Sequence, residues 1–256
     1  PGMNTRYHIV IPARLASQRL PNKPLLEIDG RTLIEHVYRR ACSAHAESVI
    51  IATDSTEVCE LAGGFGATAV MTSADHPSGS DRIAECIGIL GWTPDTVVVN
   101  LQGDEPLMPA NCLDQVAELL QNDPTADAAS LYLPIRSESE LADSNVVKVV
   151  TAPSGQALYF SRSMIPFPRG LSPERVMGDE TPWKRHVGLY AYRASALLEF
   201  TQTRPGVLET LEKLEQLRFL ENGRSIVMDL AADFIPAGVD SPADLERVRK
   251  ALAAVS

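Results

Sequence analysis

Over its first half the chain alternates short, wholly apolar runs with longer amphipathic stretches, and no other feature constrains its fold so tightly. Tyr7–Ile11, Ser48–Thr53, Ala69–Met71 and Thr96–Leu101 read as strands. Between them Thr32–Ser43, with Leu33, Val37 and Ala41 at helical spacing, Thr56–Phe65 and Asp81–Leu90 read as helices. Pro109–Leu120 is helical and Ala128–Pro134 extended. Strands apolar on both sides need cover on both faces, and helical crossovers join parallel neighbours. The rhythm predicts an α/β fold with a mostly parallel central sheet flanked by helices.

The second half changes character. Val146–Ala152 and Gln156–Arg162 read as two strands joined through Pro153-Ser154-Gly155, a hairpin signal. Met164–Lys184, rich in Pro, Gly and charge, reads as a long loop or lid. His186–Arg193 is the next strand, followed by helices at Ala194–Thr203 and Thr210–Glu221, the latter with Leu211, Leu214 and Leu217 on one face. Asn222-Gly223 suits its C-terminal end, Ile226–Leu230 reads as the last strand, and Asp240-Ser241-Pro242 opens a terminal helix. Without a repeat or linker, the expectation is one α/β domain over residues 4–253, carrying an inserted region at about 146–193. Pro1-Gly2 ahead of Met3 reads as a cloning remnant.

Composition excludes several classes. The 23 Lys+Arg against 33 Asp+Glu give a net charge of -10, the opposite of what a general nucleic-acid binder needs. A 45% hydrophobic content is too high for a disordered chain. No apolar run suits a membrane span or an export signal, so a cytoplasmic protein is expected. Cys42, Cys59, Cys86 and Cys112 are far apart, form no C-x-x-C pair, and read as small core hydrophobes.

In an open α/β sheet, ligands bind at the carboxyl ends of the strands. The loop after the first strand, Pro12 to Pro24, matches neither G-x-G-x-x-G nor the P-loop, yet gathers Arg14, Arg19 and Lys23 with no acid. Such a cluster in an acidic protein suits a polyphosphate, the alternative being a solvated basic loop. Asp104, in Gln102-Gly103-Asp104-Glu105-Pro106 beyond a buried strand, suits a Mg²⁺ ligand or a turn cap. Asp240 has the same strand-end look and alone reads as a helix cap; the two together suit one Mg²⁺ facing a triphosphate. His76-Pro77-Ser78-Gly79-Ser80-Asp81-Arg82 opens a helix, where free amides and hydroxyls suit an anion or a sugar hydroxyl and Ser80 suits the cap. His186 suits a structural or substrate hydrogen bond better than zinc. His8, His36 and His45 read as ordinary surface or helix positions, and Trp92 and Trp183 as packing residues.

These segments resemble a known family. Pro12-Ala13-Arg14-x-x-Ser17-x-Arg19-x-Pro21-x-Lys23-Pro24-Leu25 is similar to the opening motif of the CMP-sugar synthetases. The His76-x-Ser78-Gly79-Ser80-Asp81-Arg82 cluster, Val99–Pro106, Ala157–Arg162, Arg185–Tyr190, Leu214–Arg218 and Gly238–Glu246 resemble the branch that activates 3-deoxy-D-manno-octulosonate (Kdo). The resemblance implies a Rossmann-like nucleotide-diphospho-sugar transferase fold, CTP and Kdo as substrates, Mg²⁺ as cofactor, and a homodimer. It also implies roles. Arg14, Arg19 and Lys23 go to phosphate, with Lys23 the charge stabiliser at the α-phosphate. Pro12 and Ala13 read the cytosine edge, and Ser78, Gly79, Arg82 and Gln102 contact the nucleotide. Asp104 and Asp240 hold the metal. Gln102, Arg162, His186, Tyr190, Glu215 and Gln216 hold Kdo.

Overall fold

The structure is a computed structural model that describes residues 6–15, 20–178 and 181–253. The presumed remnant at residues 1–2 and the candidate phosphate ligand Arg19 lie outside the described residues. Strand β1 (Tyr7–Ala13) leads into a 3-10 turn (Lys23–Leu25) and a small ribbon, β2 (Glu27–Ile28) with β3 (Arg31–Thr32). There follow α1 (Leu33–Ala41), β4 (Ser48–Thr53), α2 (Thr56–Gly64), β5 (Thr68–Met71), α3 (Gly79–Leu90), β6 (Val97–Asn100), α4 (Ala110–Asn122) and β7 (Ala128–Pro134). The second half holds α5 (Glu138–Ala142), β8 (Lys148–Thr151), β9 (Ala157–Ser161), α6 (Pro173–Val176), β10 (Lys184–Arg193), α7 (Ala194–Gln202), α8 (Val207–Glu212), α9 (Leu217–Glu221), β11 (Ile226–Leu230) and α10 (Pro242–Ala253).

The main sheet has the order β11-β7-β10-β6-β1-β4-β5, with the hairpin β8–β9 attached through β8 to β10. Strands β6, β1, β4 and β5 run parallel, as does the pair β11–β7, while β10 is antiparallel to both β6 and β7. The expected mostly parallel sheet is therefore present with one reversed strand at its centre. Strand period two splits the core. Ile9, Ile11 and Val99 face the layer of α1, α2 and α4, whereas Val10, Ile50 and Val98 face Ile83, Ile87, Leu197 and Phe200 of α3 and α7. No helix among the described residues is long and apolar enough to cross a membrane.

Several local expectations need correction. Thr210–Glu221 is not one helix: α8 ends at Glu212, Lys213 adopts a left-handed φ of 56°, and α9 restarts at Leu217. Leu214 and Leu217 are buried, but Leu211 is 76% exposed and has left the apolar face. Residues 231–241 form no strand, so Asp240 follows an irregular segment. Helix α3 is capped by Ser78, not Ser80, through the Asp81 amide. Cys42 is exposed at the end of α1, unlike buried Cys86 and Cys112. His8 is no plain surface residue, since its ring stacks on Trp92 at 4.3 Å. The stretch expected as a loop or lid contains the short α6 and is anchored by fully buried Trp183, which packs with Ile135 and Leu141 and donates Nε1–H to the Pro166 carbonyl.

Candidate active site

The carboxyl ends of β1 and β6 meet at Pro12 and Gly103. A Cβ on Gly103 would lie 2.9 Å from the Pro12 carbonyl oxygen, and one on Gly79 would lie 3.3 Å from Pro12 Cγ. Glycine at 103 lets the β6 loop close on the Pro12 backbone in this way, and Gly79 brings the start of α3 tightly against the Pro12 ring. Ala13 is buried beside it and Arg14 is exposed at the mouth of the basic loop.

Lys23 is placed by packing far from its own strand. Leu20, Ile28 and Leu33 form a small apolar cluster with Val239 and Val248, which fastens α10 and its approach to the basic loop. Lys23 Nζ donates to Asp104 Oδ2 at 2.6 Å and to Asp240 Oδ1 at 3.0 Å. Burial of the ammonium opposes its charge, but the two carboxylates prevail and hold its pKa above the ordinary lysine value. Asp240 does not cap α10. That part falls to Ser241, whose Oγ accepts from the Asp244 amide while the Asp244 carboxylate accepts from Ser241, a reciprocal cap that leaves the Asp240 carboxylate for Lys23.

Sequence reading overlooked Glu105. Its Oε2 is sealed from solvent without a hydrogen-bond partner, and burial, then Asp104 and Asp240, push its carboxyl pKa up to about 8. Asp104 and Asp240 thus bring two carboxylates to one point, a pair suited to a divalent cation. Among the described residues no group of three or more His, Cys, Asp or Glu side chains is arranged to hold a metal. A pair of carboxylates with the remaining positions left to phosphate oxygens and water nonetheless fits Mg²⁺, which is commonly held that way.

Behind this cluster lies a cavity of about 170 Å³ whose walls include Asn100, Gln102, Tyr190, Tyr192, Glu215 and Gln216. Four of the six expected sugar contacts therefore share one cavity. His186 stands behind it, with its ring 5.3 Å from Tyr190 and 5.1 Å from Phe160, and its Nε2 3.2 Å from Ser130 Oγ. Enclosure lowers its pKa to about 3, so the imidazole is neutral. Burial also raises the Glu215 carboxyl, partly offset by the hydroxyls of Ser80 and Ser78 and by Arg218. The Tyr190 hydroxyl is buried without a partner, an open donor in the cavity wall.

Two expected contacts sit elsewhere. Arg162 turns away from the cavity: its Nε donates to the Glu212 carbonyl at 2.7 Å and its Nη1 to the Ser144 carbonyl at 3.0 Å. Arg82 is 3% exposed and spends its donors on Asp54 Oδ2 at 2.9 Å and Thr72 Oγ1 at 2.6 Å. Each guanidinium is engaged within the chain, Arg162 on two backbone carbonyls and Arg82 on Asp54 and Thr72.

Comparison with known proteins shows the family. A family described as cytidylyltransferase matches residues 8–226. The chain belongs to that family. Among cytidylyltransferases it is 48% identical to the 3-deoxy-manno-octulosonate cytidylyltransferase of Thioalkalivibrio sulfidiphilus (strain HL-EbGR7), over 97% of this chain and 99% of that one. It is 47% identical to the enzyme of the same name from Pseudomonas fluorescens (strain SBW25), over 98% and 100%. A solved structure of CMP:2-keto-3-deoxy-manno-octonic acid synthetase complexed with CTP superposes with a TM-score of 0.88 at 39% identity, over 98% of this chain and 99% of that one. The sheet with its reversed β10 is thus a cytidylyltransferase sheet, and Gly79, which meets Pro12, also lines the cavity.

Proposed function

We propose that this cytidylyltransferase transfers CMP from CTP to Kdo, releasing pyrophosphate. The single observation that carries the reading is the convergence of Asp104 and Asp240 on Lys23 beside a polar cavity, in a chain similar along its whole length to enzymes named for that reaction. The anomeric 2-hydroxyl of the sugar attacks the α-phosphorus. A bond from that oxygen to phosphorus forms as its O–H proton passes to water, the bond from the α-phosphorus to the α,β-bridging oxygen breaks, and pyrophosphate leaves in line. Both substrates are anionic, and like unit charges ~4 Å apart cost about 4 kcal/mol at an effective dielectric of 20. Arg14, Arg19 and Lys23 offset that repulsion, with Lys23 at the α-phosphate. Pro12 and Ala13 offer backbone to the base, and Ser78, Gly79 and Gln102 approach the nucleotide. Gln102, Tyr190, Glu215 and Gln216 orient the sugar, and His186 backs Tyr190 as a neutral ring. Arg82 and Arg162 serve as supports for these groups. Mg²⁺, held by Asp104 and Asp240, supplies charge neutralisation at the phosphates when bound. The reaction calls for positioning and electrostatics and for no covalent nucleophile.

The enzyme works in the cytoplasm as a homodimer joined through the hairpin region, by the same reading. Pyrophosphate release with CTP and Mg²⁺, assayed in parallel on Kdo, its 8-amino analogue and sialic acid, tests the substrate; turnover on another sugar with none on Kdo refutes it. Light scattering on the purified chain tests the dimer.

A further inference from the structure

We infer that Lys23 is the resident counter-ion of the Asp104–Asp240 pair in the nucleotide-free enzyme, and that it keeps free divalent metal out until a triphosphate draws its ammonium away. The inference rests on the proposed nucleotidyl transfer and adds an order of events to it.

The two carboxylates are brought together without help from Lys23. The Val239 amide donates to the Asp104 carbonyl at 2.8 Å, and a Cβ on Gly238 would lie 3.0 Å from that same oxygen. This backbone contact ties the residue before Asp240 to Asp104 itself, so the acidic pair is built into the chain path. Lys23 then supplies one ammonium to both, at 2.6 and 3.0 Å. Its own backbone is fixed by the 3-10 turn, in which the Leu25 amide donates to the Asn22 carbonyl at 2.8 Å and Pro24 is buried.

A six-coordinate Mg²⁺ contacts oxygen at ~2.0–2.1 Å. To be held by both carboxylates it would compete for the same two oxygens that Lys23 Nζ contacts at 2.6 and 3.0 Å. Ammonium and metal exclude each other there by volume and by charge. A lysine ammonium leaving two carboxylates also requires another anion, or its half-buried charge is stranded. A triphosphate provides that anion on the same loop, beside Arg14. Lys23 therefore changes partners from carboxylate to phosphate as the metal–nucleotide complex arrives, and the site admits metal with its nucleotide in preference to metal alone.

The test uses Mn²⁺ as the probe, with neither CTP nor sugar present. Free Mn²⁺ is counted by electron paramagnetic resonance during titration of the wild-type protein and of Lys23→Met, Lys23→Gln, Arg14→Met and Lys23→Met/Asp240→Asn. Two neutral replacements of Lys23 guard against one that fails to fold. The expected result is Mn²⁺ affinity at least tenfold higher in the Lys23 variants than in wild type. Arg14→Met should shift it by less than threefold, and the gain should vanish when Asp240→Asn is added. Unchanged or weaker affinity in both Lys23 variants overturns the proposal, as does an equal gain from Arg14→Met, which would assign the effect to general charge. Pyrophosphate release by the wild-type enzyme is a separate measurement, so transfer to Kdo stands or falls independently of this exchange.

Discussion

Arg162 and Glu212 hold each other by reciprocal bonds between side chain and backbone. Arg162 Nε donates to the Glu212 carbonyl at 2.7 Å, and the Glu212 carboxylate accepts from the Arg162 amide at 3.0 Å while also receiving the Ser161 hydroxyl at 2.6 Å. This clamp closes on the place where α8 breaks at left-handed Lys213 and the chain turns toward Glu215 and Gln216. Strand β9 thereby sets the position of two cavity residues that it does not itself carry.

Arg162→Ala should therefore act through the turn. The expected outcome is a several-fold rise in KM for Kdo with a smaller change for CTP, and a loss of stability of about 1–3 kcal/mol from unpaired carbonyls. Adding Lys213→Gly relieves a backbone conformation that costs about 1 kcal/mol for a side-chain-bearing residue, and should recover part of both losses. Steady-state kinetics and urea unfolding check this; kinetics unmoved by the second change would assign Arg162 a direct contact with the sugar.

Replacement of Asp104 or Asp240, the proposed metal ligands, should separate chemistry from folding. Asp104→Asn and Asp240→Asn are each expected to lower turnover by roughly 100-fold or more. Their side chains are 30% and 52% exposed, so stability should change by less than about 1 kcal/mol. Pyrophosphate release and thermal melting measure the two effects. Near-normal turnover in either variant removes that residue from the metal site.

His186 predicts an acid limb in stability. Its pKa is about 3 when folded and ~6.5 when unfolded. Above ~6.5 neither state binds the proton. Between those values only the unfolded chain takes it up, so stability falls as pH falls, by up to about 1.4 kcal/mol per pH unit. Urea midpoints at about pH 7.5, 6 and 5 should drop more steeply for the wild type than for His186→Gln. Parallel slopes would mean that the ring titrates alike in both states.

Gly103→Ala places a methyl 2.9 Å from the Pro12 carbonyl. The end of β1 must shift, at a cost of about 1–3 kcal/mol. With Pro12 at the base as proposed, KM for CTP should rise more than KM for Kdo. Gly79→Ala, which meets only Pro12 Cγ at 3.3 Å, should follow in the same direction to a smaller extent. Melting curves and separate titrations of the two substrates test the ranking.

The sequence alone determined the strand–helix alternation, because period-two and period-3.6 apolar spacing is a local property that Ile9–Val10–Ile11 or Leu33–Val37–Ala41 carries within a few residues. It also marked Lys23 and Asp104, since the loops beyond β1 and β6 cluster charge visibly, and it marked Asp240 for a strand end that the fold does not form. Only the tertiary structure decided where arginines point and where helices stop. Arg82 and Arg162 look like ligands in sequence, yet Asp54 and the Glu212 carbonyl claim them, and no local pattern announces a partner so far along the chain. The break at Lys213 has the same origin: helical spacing continues through it, but the clamp from β9 outweighs a local preference worth at most about 1 kcal/mol per residue. Glu105 stood in plain sight beside Asp104, and its sealed oxygen became evident only when folding brought Asp240 across the same small volume.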